Sequence, residues 1–256
     1  MKNRDITAIV IICVVAIPLI FGGIPLELLA LFIVGYGGYE WAHAHNRFKK
    51  WPVYLVPVMV LFTLGLRFVP EGYRQAAFIV PVIFFWTLTI FDERIHVMDG
   101  FYCLIFVVIF SIIYQIIGWL SAGHHFYLLT LVLATYGSDT GAWFVGRKIG
   151  RHKMNPRLSP KKSWEGFGGG VIFGFVLAFV VSFLYLGHVQ MIWNTILCLV
   201  CPIVAEIGDL SFSSIKRHFR IKDFSNLLPG HGGILDRVDS LLMNILVLGI
   251  FIPFIS

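Results

Sequence analysis

Apolar runs long enough to cross a lipid bilayer follow one another along almost the whole of this chain, and they leave few folds open. A hydrocarbon core about 30 Å thick requires ~20 mainly apolar residues per helical crossing. Nine segments meet or approach that length, at residues 6–21, 26–43, 52–69, 75–91, 101–120, 127–145, 170–186, 191–211 and 238–255. Charged residues make up only 13% of the chain and mean hydropathy is +0.84, where a soluble domain carries about 25% charge. The predicted fold is therefore all-α: a polytopic integral membrane helical bundle of about nine transmembrane helices, forming a single membrane domain over residues 1–256. The basic start MKNRD before an apolar run imitates a signal peptide, but no small-x-small cleavage site follows and the run reaches Pro18 and Gly22-Gly23. It is read as a retained span.

Basic residues orient the bundle. With the N-terminus in the cytoplasm, the cytoplasmic segments hold Lys2 and Arg4; Arg47, Lys49 and Lys50; Arg94; seven Lys and Arg over 147–162; and five over 216–237, or 18 of the 20 in the chain. Only Arg67 and Arg74 fall outside. So one-sided a partition follows the positive-inside rule. It makes the net charge of +6 a property of the cytoplasmic face, suited to anionic lipid headgroups or nucleotides. The basic loops carry few aromatics for base stacking, which speaks against nucleic acid. Cys198 and Cys201 form a C-x-x-C without a second ligand pair nearby, and with Cys13 and Cys103 they sit in apolar runs, as packing thiols do.

Residues 1–126 read as transmembrane scaffold. Their polar exceptions, Glu40, His43 and His45, then Asp92 to Arg94 and Asp99, fall at helix ends, where charge is solvated, and are assigned no chemistry. The glycines at 35, 37 and 38 and at 166 and 168–170 suit close helix approach. The informative residues lie in 127–256, on loops 147–165 and 213–237.

The block 206–239 is the densest collection of charge, set between two apolar runs. Glu206, Asp209, Ser213, Lys216 and Arg217 recur every three or four residues, one stripe of a helix. Two acids one turn apart there either hold a hard cation or pair with Lys216 and Arg217. Pro229-Gly230-His231-Gly232-Gly233 is a turn whose bare backbone allows N–H groups to approach a phosphate. Asp236 and Asp239 follow on one helical face. Glycine-rich backbone beside paired acids has the composition of a metal–phosphate site, since Mg²⁺ takes one or two carboxylates and fills its other positions with water and phosphate oxygens. Upstream, Asp139 lies within an apolar run, where a carboxylate requires a cation or a base. Ser159-Pro160-Lys161-Lys162 reads as a turn presenting two ammonium groups, either to phosphates or as a positive-inside anchor.

These residues resemble a known family. Ser213-x-Ile215-Lys216-Arg217, Lys222-Asp223, Leu228-Pro229-x-His231-Gly232-Gly233 and Asp236-Arg237-x-Asp239 fill, without a gap, the signature of bacterial phosphatidate cytidylyltransferases (CDP-diacylglycerol synthases). Glu206-x-Gly208-Asp209, Asp139-Thr140-Gly141-Ala142 and Ser159 to Gly166 are similar to that family too, while Arg151 and Met154 depart from the Lys and Leu expected. The likeness covers the second half; the first half shares hydropathy alone. It implies transfer of a cytidylyl group from CTP to phosphatidic acid at an inner (plasma) membrane, on its cytoplasmic face, with Mg²⁺, room for a second cation, and a homodimer. On that reading Asp209 and Asp236 hold the metal, with Glu206, Asp139 and Asp239 as further acids. Lys216, Arg217, Lys222 and Arg237 hold phosphates together with Ser213, and Gly232 and Gly233 offer backbone donors. Lys161 and Lys162 meet the lipid headgroup or the triphosphate, and His231 bonds pyrophosphate or buttresses the turn. A CTP-dependent polyprenol kinase and an ion-coupled transporter are the alternatives.

Overall fold

A computed structural model describes residues 2–46, 48–186 and 190–255, and within them the side chains other than those of 2–10 and 12. Arg47 and the side chains of Lys2 and Arg4, counted above among the cytoplasmic cations, lie outside the described set. Among the described residues nine α-helices form, one over each apolar run: α1 (Lys2–Phe21), α2 (Gly23–Ala44), α3 (Leu55–Gly65), α4 (Arg74–Phe91), α5 (Val97–Trp119), α6 (His125–Ile149), α7 (Trp164–Tyr185), α8 (Met191–His218) and α9 (Leu235–Ile255). Five helical stretches are long and apolar enough to cross a bilayer: Glu71–Phe91, Val97–Ile149, Trp164–Tyr185, Met191–His218 and Leu235–Ile255. The second of these breaks at Gly123, whose φ of +116° favours glycine, and so divides into α5 and α6. α3 is shorter than the run that predicts it. Its 11 residues plus the 3₁₀ turn Leu66–Phe68 reach only ~23 Å at standard helical rises.

The helices agree with the all-α reading, to which one short element is added. Between α6 and α7 lies an antiparallel hairpin, β1 (Lys153–Asn155) with β2 (Ser159–Ser163), pairing Lys153 with Ser163 and Asn155 with Ser159. The turn expected at Ser159 to Lys162 is thus a strand. Its far end continues into α7, where the Ser163 hydroxyl caps the helix by accepting from the Gly166 N–H at 3.2 Å.

α6 and α7 approach so closely that side chains are excluded. A Cβ on Gly141 would lie 2.6 Å from Phe173 Cβ, one on Gly170 2.8 Å from the Ser138 carbonyl, and one on Gly174 2.6 Å from the Ala134 carbonyl. In lipid, where burial gives helices little reason to associate, such small-residue contacts hold them together. Gly35 and Gly168 face open space and take no part in this. In the first half Trp41 of α2 stacks on Tyr102 of α5 at 4.9 Å, each donating to the other's carbonyl, at 3.2 and 2.9 Å. The C-terminal ends of α2, α6 and α8, the hairpin and the start of α9 meet at one end of the bundle, where the candidate site lies.

Candidate active site

α8 runs on to His218, past the end at 211 expected for its apolar run, so Glu206 to Arg217 do share one continuous helix. Their partners come from elsewhere in the chain. In an extended strand successive side chains point to opposite faces, and β2 therefore separates its two lysines: Lys161 is exposed, while Lys162 turns inward. Lys162 Nζ lies 2.7 Å from both Glu206 Oε2 and Asp209 Oδ2. Glu206 is 1% exposed, and its other oxygen accepts from the Ser138 hydroxyl at 3.3 Å. Burial disfavours the charge on Lys162, but Glu206 and Asp209 outweigh it and raise its pKa.

A second lysine–acid pair forms across the loop that joins α8 to α9. Lys216 Nζ lies 2.7 Å from Asp236 Oδ1, and Asp236 Oδ2 accepts from the N–H groups of Phe224 (2.8 Å) and Gly233 (2.9 Å). One carboxylate thus ties the loop to the first turn of α9. Behind the loop stands Glu40 of α2, fully buried. Its Oε1 accepts from Ser225 Oγ (2.6 Å) and Ile234 N–H (2.9 Å), and its Oε2 from Leu235 N–H (2.8 Å). Gly232 has φ +83°, and a Cβ on Gly233 would strike the Glu40 carboxylate. Both glycines are there to let carboxylates reach the backbone.

This corrects two expectations. Glu40 is not a solvated helix end; it is the acceptor that holds the start of α9. The backbone donors foreseen at Gly232 and Gly233 are engaged within the protein, with Leu228 O taking the N–H groups of His231 and Gly232 at 2.8 and 3.1 Å. His231 Nδ1 lies 3.4 Å from Pro229 O, which fits a buttress of the turn. Arg217 is exposed and donates to Ile221 O at 2.9 Å; Lys222 is exposed, and Ser213 is buried in the helix packing.

Two cavities meet at Asp139. One, of about 250 Å³, is lined by Asp139, Asp209, Asp223, Asp236, Asp239 and Ser240 with Lys216 and Arg237. The other, also about 250 Å³, runs between Lys161, Lys162, Trp143, Phe167 and Glu206. Even with Lys162 reaching Asp209 from the neighbouring cavity, five carboxylates against three cations leave the first cavity short of positive charge. Its donors are all hard oxygens, the set Mg²⁺ prefers, so the residues present fit a divalent cation in charge and chemistry. Among the described residues no three acid, His or Cys side chains yet converge as a ligand set; Lys162 and Lys216 hold Glu206, Asp209 and Asp236 instead. Asp223 lines this cavity and was not singled out by sequence reasoning, although it stands in the Lys222-Asp223 pair of the motif. Tyr136 of α6 positions the adjoining backbone by donating to Arg237 O at 2.9 Å.

Residues 2–255 match the model of the cytidylyltransferase family. The chain belongs to the cytidylyltransferase family. Relatives named phosphatidate cytidylyltransferase include one from Staphylococcus saprophyticus, 31% identical over 98% of this chain and all of the relative. One from Bacillus subtilis is 28% identical over 94% of each. One from Haemophilus influenzae is 41% identical over 122 residues, 45% of this chain and 42% of the relative. Membership of the cytidylyltransferase family thus extends to the first half, Glu40 included, where the sequence reading found likeness only in hydropathy.

Proposed function

We propose that this chain transfers the cytidylyl group of CTP to phosphatidic acid, giving CDP-diacylglycerol and pyrophosphate. One observation carries the reading: an acid-lined cavity short of cations adjoins a lysine-lined one at a single end of a membrane bundle, in a chain of this family. An oxygen of the lipid phosphate forms the new bond to the α-phosphorus of CTP while the bond to the β-phosphate oxygen breaks, and pyrophosphate leaves. The nucleophile is already an anion, so positioning and charge neutralisation are the main tasks. Lys216 and Arg237 are placed to hold phosphate oxygens at the acid cavity, and Lys161 at the neighbouring one. Asp209, Asp236, Asp139 and Asp239 would hold Mg²⁺, which supplies neutralisation of the phosphate charge when bound. A further cavity of about 230 Å³, walled by Val14, Leu29, Phe32 and Val238 with Arg237 at its edge, suits an acyl chain whose headgroup meets that arginine. The bundle is read as crossing the inner membrane nine times, N-terminus and site in the cytoplasm.

The test is product analysis with purified protein in vesicles, α-³²P CTP and phosphatidic acid. Label is expected in a chloroform-soluble lipid with matching pyrophosphate release, both lost on chelation and restored by Mg²⁺. Label left in water as CDP would overturn the transferase reading in favour of a kinase. Product formation that survives chelation would remove the metal from it.

A further inference from the structure

The hairpin that delivers Lys162 to the candidate site, with the end of α6 that leads into it, carries positive charge that nothing in the protein balances. Of the seven Lys and Arg over 147–162, six are exposed: Arg147, Lys148, Arg151, Lys153, Arg157 and Lys161. None of the six forms an ion pair among the described residues. Glu165, the acid nearest in sequence, is taken up by the hairpin itself. Its carboxylate accepts from the N–H groups of Arg151 (3.1 Å) and His152 (3.2 Å) and meets His152 Nδ1 at 2.6 Å. Like charges crowded on one short segment repel, so an anionic partner is favoured there.

The setting of the segment selects that partner. α6 and α7, which flank it, belong to stretches apolar enough to cross a bilayer. Where they meet the hairpin they present Trp143 and Trp164, 62% and 54% exposed, with Phe144 and Ile149 also exposed. Tryptophan at the end of an apolar helix marks the headgroup level. Arg147 lies 5.4 Å from the centre of the Trp143 ring and Lys148 4.1 Å from that of Phe144. Each is one turn further along α6, where long basic side chains rest their stems on apolar surface and reach the headgroups. The other cations occupy the short connection 150–163 between the two helices, so they stay close to that level. A cluster of about four to eight Lys and Arg just outside a membrane helix is the pattern that anionic lipids recognise.

We propose that the hairpin is a docking surface for the anionic headgroups of the bilayer in which the protein sits, with Arg151, Lys153 and Arg157 at its centre and the two exposed tryptophans setting its depth. Lys161 belongs to this surface and also lines the cavity beside Asp139, so a headgroup held here borders the candidate site. The proposal depends on neither the cytidylyl-transfer reading nor the orientation of the bundle.

The full chain in phosphatidylcholine vesicles would be irradiated with trace phosphatidylglycerol or trace phosphatidylcholine, each bearing a diazirine beside the headgroup, and the labelled peptides mapped by mass spectrometry. Residues 147–162 are expected to take the anionic probe about tenfold more than the neutral one. About 0.5 M NaCl should remove that preference, and so should Arg151→Gln/Lys153→Gln/Arg157→Gln. Lys49→Gln/Lys50→Gln, which removes exposed charge from the turn before α3, should leave it intact. The salt comparison uses the wild type and decides the matter should the triple variant fold poorly. Equal labelling by the two probes would overturn the proposal. So would a preference that survives salt or the triple variant, or one lost equally in Lys49→Gln/Lys50→Gln, which would make the charge diffuse rather than local. Loss of the preference to CTP at constant ionic strength would make this a nucleotide surface instead.

Discussion

The loop before α9 is held on two sides by carboxylates, and the two sides behave differently. On the inner side Glu40 takes three donors, from Ser225, Ile234 and Leu235, and among the described residues it pairs with no cation. On the outer side Asp236 takes two backbone donors and a lysine, and it opens into a cavity shared with four more acids. A buried carboxylate whose lone pairs are filled by N–H and O–H groups is a structural fastener. A crowd of carboxylates with too few cations is costly to maintain and suits a metal and its phosphates. The same residue type thus fastens the loop on one face and, on the function proposed above, serves chemistry on the other.

The largest effect is expected from removing a cation on the chemical side. Lys162→Met leaves Glu206 buried beside Asp209 without its counter-charge, a loss of about 3–5 kcal/mol. Lys161→Met, on the opposite face of β2, should stay within about 0.5 kcal/mol. Thermal unfolding in detergent would compare them, and equal melting shifts would refute the strand alternation. Next comes Asp236→Asn, which removes the charge and turns an amide N–H₂ toward Lys216 while its oxygen keeps the Phe224 and Gly233 donors. Turnover should fall about 10²–10³-fold with folded protein recovered, and near-normal rates would exclude Asp236 from the metal set. The smallest is Glu40→Gln. Its amide turns a donor toward Ile234 or Leu235 and leaves one N–H unpaired, worth about 1–3 kcal/mol. It should lower the melting temperature and quicken protease cleavage of the 219–234 loop, and cut turnover less than Asp236→Asn does. A rate loss equal to that of Asp236→Asn would erase the contrast between the two sides.

Much of this was legible from local pattern. Helix placement was, because apolar runs of bilayer length have no alternative means of pairing their backbone: α4 and α9 begin within one and three residues of the runs that predict them. The acids that line the two candidate cavities were legible as well, since Glu206, Asp209, Asp236 and Asp239 stand out by type and spacing. Glu40 could have been found by the same sign, an acid closing an apolar run. It was passed over because a helix end in water and a helix end against a loop look alike in one dimension. Lys161 and Lys162 are indistinguishable neighbours until a strand sends them to opposite faces.

Composition and short-range periodicity are enough for the medium, the helices and the inventory of charge. Which carboxylate meets a lysine, which meets backbone N–H groups and which shares a cavity depends on how the helices and loops pack. Those pairings join residues as distant as Glu40 and Leu235, or Lys162 and Glu206, and electrostatic energy depends on separation in space rather than along the chain.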